Sequence, residues 1–232
     1  MNTYMKINFQ PLYRIAQYSL LLMIILIPIQ IIVFVLSPPP ETVVGFFTLY
    51  EQSPFLGLLS LDFLYMFTNM INVIMYLSLG ALLYREKPVM IILALILGLI
   101  GIACYYPSNP SFEMLTLSKL YYQALPGEGG VYIAAGEALM AGYTGTAFNV
   151  YYVLSTICLI LFSFAIYQSS LFKKSIGVWG LISGFFMIIP SSAGLIGMIF
   201  SLLSLIPWMV FIALLMMVFR KYSLNKREDN KS

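Results

Sequence analysis

Asp62 is the residue best placed in this chain to do chemistry. It stands within a long apolar stretch, where an acidic side chain costs about 2.5 to 3.5 kcal/mol on insertion scales and is expected to face protein rather than lipid. Tyr65, Asn69, Asn72 and Tyr76 follow it in steps of 3, 4, 3 and 4 residues. On an α-helix that spacing stacks all five side chains along one stripe. The stripe is expected to point inward, because hydrocarbon satisfies none of these groups. Two roles fit it: a carboxylate that binds a ligand or moves a proton, or hydrogen-bonding glue between helices, which suits Asn69 and Asn72 taken alone.

Glu137, between Gly136 and Gly142, is the second carboxylate of interest. A continuous helix through this segment would put Glu137, Thr144, Tyr151 and Ser155 on one face. A break at the glycines would instead let Thr144 or Thr146 cap a new helix near Ala147, with Asn149 in its first turn. Such a helix start presents free backbone amides to an anionic group or to Glu137 itself. The ligand-binding candidates are therefore Asp62, Tyr65, Asn69, Asn72, Glu137, Thr144, Thr146, Asn149 and Tyr151. If Asp62 and Glu137 shared a site, their pKa values could split into an acid and a base.

Other chemistry is thin. The chain has no histidine, which removes the commonest general base and metal ligand. Cys104 and Cys158 stand far apart without CxxC spacing and read as buried thiols. Phosphate loops, nucleophile elbows, zinc-binding helices and dinucleotide fingerprints are missing. No catalytic residue, metal site or cofactor is assigned.

The elements that must position these residues are membrane spans. Apolar residues make up 61% of the 232 residues and charged residues 9%, against roughly 45–50% and 25% in soluble domains. Apolar runs near the length of a bilayer core occur at about 12–36, 54–84, 88–106, 146–168, 175–192 and 195–219. The expected fold is a single all-α polytopic bundle of about six transmembrane helices. Six crossings place Lys6, Arg14, Arg85, Lys87, Lys173, Lys174, Arg220, Lys221, Lys226, Arg227 and Lys231 on one side and leave Lys119 on the other. By the positive-inside rule both termini are cytoplasmic in a plasma membrane. The net charge of +3 is thus topology signal and not a nucleic-acid footprint.

The basic start followed by an apolar run looks like a signal peptide, but the run is long and ends in Ser37-Pro38-Pro39-Pro40, so it is read as a retained first span. Tyr13, Tyr18, Tyr84, Tyr167, Trp179 and Tyr222 mark one interface and Tyr50, Tyr105 and Tyr106 the other. On the outer side, VVGFFTLYEQ is too short to cross and should lie along the surface. The segment 107–145 forms an outer cap: Ser111 can cap a short helix showing Met114, Leu117, Tyr121 and Leu125 at helical spacing, and LPGEGG breaks it. A second short piece over 131–142 suits an interfacial or re-entrant segment. Gly180 and Gly184 form a GxxxG pair able to join two copies of the chain or to pack internally. Pro207 should bend the last span, and 220–232 is a basic cytoplasmic tail able to meet anionic headgroups.

The stretch AAGEALMAGYTGTAFNVYYVLS, with SSLFKKSIGVWG, IIPSSAGLIGM and SLLSLIPW after it, resembles a family of small bacterial multi-pass membrane proteins known only as a domain of unknown function. The similarity covers 134–208, and its most specific piece is GEA at 136–138 leading into GTAF at 145–148. The resemblance implies the bundle architecture and a bacterial cytoplasmic membrane, and it implies no activity.

Three functions fit these observations. The first is a non-enzymatic protein that binds, senses or moves a small or lipidic ligand between the second and fourth spans. The second is an intramembrane lipid-modifying enzyme using Asp62 and Glu137. The third is an accessory subunit of a membrane complex. Membrane lipids are partners in all three.

Overall fold

The computed structural model describes residues 7–224, so Lys6, Lys226, Arg227 and Lys231 lie outside the described residues. Within them all regular structure is helical: α1 (Gln10–Leu36), α2 (Val43–Gln52), α3 (Pro54–Ser60), α4 (Phe63–Leu83), α5 (Pro88–Ser108), α6 (Ser111–Gln123), α7 (Gly130–Tyr143), α8 (Thr146–Gln168), α9 (Lys174–Phe186) and α10 (Gly194–Leu224). Five helical stretches are long and apolar enough to cross a membrane: Gln10–Leu36, Phe63–Leu83, Pro88–Gln123, Gly130–Gln168 and Gly194–Leu224. The third and fourth of these each join a span to a short helix, with backbone breaks at 109–110 and 144–145. The chain is an all-α polytopic bundle and an integral membrane protein.

Six helices close into a ring in which α1 meets α4, α4 meets α5, α5 meets α8, α8 meets α9, α9 meets α10, and α10 returns to α1. Ring neighbours run antiparallel, as their contacts show. Tyr13 stacks on Phe219, Gly98 lies against Cys158, and Ser183 bonds the Ser204 carbonyl at 3.2 Å. The ring centre is filled by buried apolar side chains including Leu20, Met75, Leu79, Phe162, Ile166, Phe211 and Leu215. Close approach of α5 to α8 depends on glycine: a Cβ at Gly98 would sit 2.5 Å from Cys158 Sγ and 2.9 Å from the Tyr76 ring.

The described basic residues Arg14, Arg85, Lys87, Lys173, Lys174, Arg220 and Lys221 gather at one end of the ring, and Lys119 is at the other. That second end carries α2, α3, α6 and α7, which share a separate apolar cluster of Val43, Phe46, Phe47, Tyr50, Leu61 and Met114. These helices form a cap over the bundle. The VVGFFTLYEQ segment is α2, and instead of lying loose on the surface it buries Val43, Phe46, Phe47 and Tyr50 in this cluster.

Several expected boundaries change. The run 54–84 is two helices, α3 and α4, interrupted at Leu61 and Asp62. The expected fifth span at 175–192 is helical only over α9, whose 13 residues cover about 20 Å of a bilayer core of roughly 30 Å. Pro190 has no amide to offer a continuing helix, and 187–193 completes the passage as turns. There Thr156 Oγ1 donates to the Met187 carbonyl at 2.9 Å and satisfies the broken end. Ser111 does not cap α6 through its side chain; Pro110 takes the N-cap position. Leu125 lies beyond α6 and is 67% exposed, while Met114 is fully buried.

Candidate functional site

The site is built around the interruption between α3 and α4. Asp62 has φ 59°, the only positive φ outside glycine among the described residues. Asp is one of the few residues that tolerate that left-handed geometry. A break leaves helix carbonyls unpaired, and within a membrane each must find a partner in the protein. Each does. Gln30 Nε2 donates to Leu59 O at 3.1 Å; Asn109 Nδ2 and Ser111 Oγ both reach Leu61 O, at 2.7 and 2.9 Å. The Tyr105 hydroxyl donates to Asp62 O at 3.3 Å and Tyr106 to Met66 O at 3.1 Å. The Asp62 carboxylate accepts a hydrogen bond from the Tyr143 hydroxyl at the end of α7. The cap is thereby tied to the bundle at Asp62.

Below Asp62 the stripe points inward as expected, and it faces α8. Tyr151 donates to the Tyr65 hydroxyl at 3.1 Å and lies 3.2 Å from Asn69 Oδ1. The rings of Tyr65, Tyr105 and Tyr151 pack within 5.0 to 6.4 Å of one another. Farther along, Tyr76 stacks on Phe162 at 5.5 Å. Residue 65 therefore matches 151 and residue 76 matches 162, so α4 and α8 run in parallel register. Between those levels Asn69 Nδ2, Asn72 Oδ1 and Ser155 Oγ are buried with no partner among the protein's own groups. Toward the basic end the stripe gives way to Leu79, Leu83, Ala165, Ile166, Leu215 and Phe219, all fully buried and apolar. The polar track thus extends from the cap end and stops inside the bundle.

Glu137 does not join it. Gly136, Leu139 and Tyr143 define the inward face of α7, where a Cβ at Gly136 would sit 2.5 Å from Val43. Six residues of helix place Glu137 about 9 Å along the axis from Tyr143 and about 120° around it. Its side chain is exposed, and no hydrogen bond among the described residues involves it. The glycine in the GEA segment is a packing contact that turns the glutamate outward.

The remaining candidates belong to the α7–α8 joint. Helix continuity fails at 144–145, Gly145 holds the N-cap position of α8, and neither Thr144 nor Thr146 caps it through a side chain. Thr144 and Thr146 are exposed. Asn149 is a staple: Nδ2 donates to Thr144 O at 3.0 Å and Gly145 O at 2.8 Å, while Oδ1 accepts from Ser192 Oγ at 2.7 Å. A shallow open groove lined by Gly145, Thr146, Asn149, Val150, Val153 and Leu154 runs outside this joint. Gly180 and Gly184 are buried inside the chain, against Ser163 with Phe211 and against Ile160 respectively, so the GxxxG face is already occupied by α8 and α10. Cys158 is buried and Cys104 half-buried, both as free thiols.

Tyr105, Asn109, Ser111 and Tyr143 were not legible as site residues. Tyr105 reads as an interfacial aromatic and Ser111 as a cap. The signal that could have found them is the helix break itself, since Asp62 in a left-handed turn demands donors from elsewhere in the chain. The chain matches no family model, no curated protein and no solved structure.

Proposed function

We propose that this is a non-enzymatic plasma-membrane protein that binds, senses or moves a small or lipidic ligand between α4 and α8. The observation that carries the reading is the set of buried, unpaired polar atoms Asn69 Nδ2, Asn72 Oδ1 and Ser155 Oγ. Helix glue alone would pair such groups, since each costs roughly 1–3 kcal/mol when left unsatisfied. Separation of Glu137 from Asp62 removes the support for a two-carboxylate lipid-modifying enzyme. The proposal includes a cytoplasmic location for the basic end and membership, on the residues over 134–208, of the bacterial multi-pass family they resemble. The test is complementation of a deletion strain by Asn69→Leu and Asn72→Leu, with lipid and metabolite profiles compared. Loss of complementation with normal membrane levels supports the ligand reading; full complementation by both variants overturns it.

An accessory-subunit role is the second reading, favoured by the Tyr65, Tyr105 and Tyr151 packing that closes the stripe at its cap end. Co-purification with one membrane protein at fixed stoichiometry would support it.

A further inference from the structure

The unpaired atoms also say what kind of occupant the interhelical space takes. Asn69 is fully buried and Ser155 6% exposed. Exchanging the two ends of the Asn69 amide leaves the same deficit: Nδ2 would then meet Tyr151 and Oδ1 would lack a donor. Asn72 lies three residues beyond Asn69, and Ser155 four beyond Tyr151, so both sit one turn deeper on helices that share a register. There is room opposite them. Gly101 of α5 faces Ser155, and a Cβ placed there would be 3.2 Å from Ser155 Oγ and 3.3 Å from the Tyr151 carbonyl.

Another buried hydroxyl shows the contrast. Ser163 Oγ is also unpaired, but the backbone of Gly180 closes on it so tightly that even a Cβ would stand 2.1 Å away. That position has no space for an occupant. At Ser155 the space and the unpaired atoms coincide.

We infer that Asn69, Asn72 and Ser155 form an internal binding site for an uncharged group that both donates and accepts hydrogen bonds: water, or the hydroxyl of a small neutral solute. The lining side chains Tyr65, Asn69, Asn72, Tyr76, Tyr151 and Ser155 are neutral at physiological pH. The nearest carboxylate, Asp62, is ten residues and about 15 Å away along α4. An ion would stand uncompensated in a low-dielectric interior, whereas water or an alcohol meets two to four polar partners there. The apolar seal at Leu79, Leu83 and Phe219 makes the site blind toward the basic end, so its occupant exchanges from the cap end, past Tyr143 and Asp62. This deepens the ligand reading above and names the chemistry of its site.

Radiolytic hydroxyl labelling of the full chain in lipid nanodiscs, in ¹⁸O-water, tests it. Tyr151 and Tyr76 are 3% and 4% exposed; Tyr50, at 1%, is an equally buried tyrosine in the cap and serves as the control. Label is expected on Tyr151 and Tyr76 and not on Tyr50. Gly101→Ala, which fills the space, and Asn72→Leu, which removes a binding group, should each abolish that label; the unaltered chain decides the matter should either variant fail to fold. Glycerol in the buffer separates the sources, because protection of Tyr151 identifies a hydroxyl solute and unchanged label identifies water. Tyr151 and Tyr76 at the Tyr50 background in the unaltered protein would overturn the site. Label on both with full complementation by Asn69→Leu would sink the functional reading and leave this one standing.

Discussion

Replacing Asn109 and Ser111 by alanine, singly and together, probes how the α3–α4 interruption is held. Both side chains converge on one acceptor, the Leu61 carbonyl. Asn109 Nδ2 also bonds the Tyr105 hydroxyl at 3.2 Å, and its Oδ1 accepts from the Ser111 amide at 3.1 Å. Ser111→Ala removes one neutral bond and leaves Leu61 O paired, which is expected to cost about 1 kcal/mol. Asn109→Ala removes three contacts, still leaving Ser111 on the carbonyl, for roughly 2–3 kcal/mol. Only the double variant orphans Leu61 O in a buried setting. Its cost should exceed the sum of the singles by about 1–2 kcal/mol, the desolvation penalty of an unpaired carbonyl. The assay is reversible denaturation in mixed detergent micelles, followed by fluorescence of Trp179 and Trp208, with amide exchange over 58–66 reporting the break itself. Additivity within about 0.5 kcal/mol would refute convergent support of the carbonyl, and unchanged exchange over 58–66 would show that the loss arose elsewhere.

Asp62→Asn keeps left-handed tolerance and an acceptor for Tyr143, so its stability should stay within about 1 kcal/mol of the parent, whereas Asp62→Val should lose about 2–3 kcal/mol from backbone strain and the lost bond; equal denaturation midpoints for the two would contradict the geometry. Gly98→Ala should cost about 1–3 kcal/mol by overpacking, and Cys158→Ala in the same chain should recover part of it, Tyr76 still being in the way; no recovery in a double-mutant cycle would place the clash elsewhere. Gly180→Leu should lower the denaturation midpoint without altering the sedimenting mass, because that glycine packs on Ser163 within the chain; a change of mass at unchanged stability would restore an intermolecular role. Cysteine at exposed Glu128 should react with an impermeant thiol reagent added outside cells, and cysteine at exposed Lys173 should not; the reverse pattern would invert the orientation.

How much of this was legible beforehand depends on the range of the forces involved. Composition and apolar run length determined the membrane class, because a bilayer demands stretches of about 20 apolar residues whatever the fold. The basic residues that the six-span reading put together do lie at one end of the ring. The inward stripe of Tyr65, Asn69 and Asn72 was readable for the same reason, since helical period and the cost of polar groups in lipid are local properties. What the chain alone did not disclose was set by long-range packing. The run at 54–84 looks like one helix, and only Asn109, Ser111, Gln30 and Tyr105, distant in sequence, make the break at Asp62 sustainable by supplying its donors. The facing direction of Glu137 was decided by Gly136 fitting against Val43 and Phe47, a contact between segments ninety residues apart that no local period encodes. Likewise the GxxxG pair is equally suited to an intermolecular or an internal neighbour, and α8 took the place because the short loop at 169–173 delivers α9 to it first.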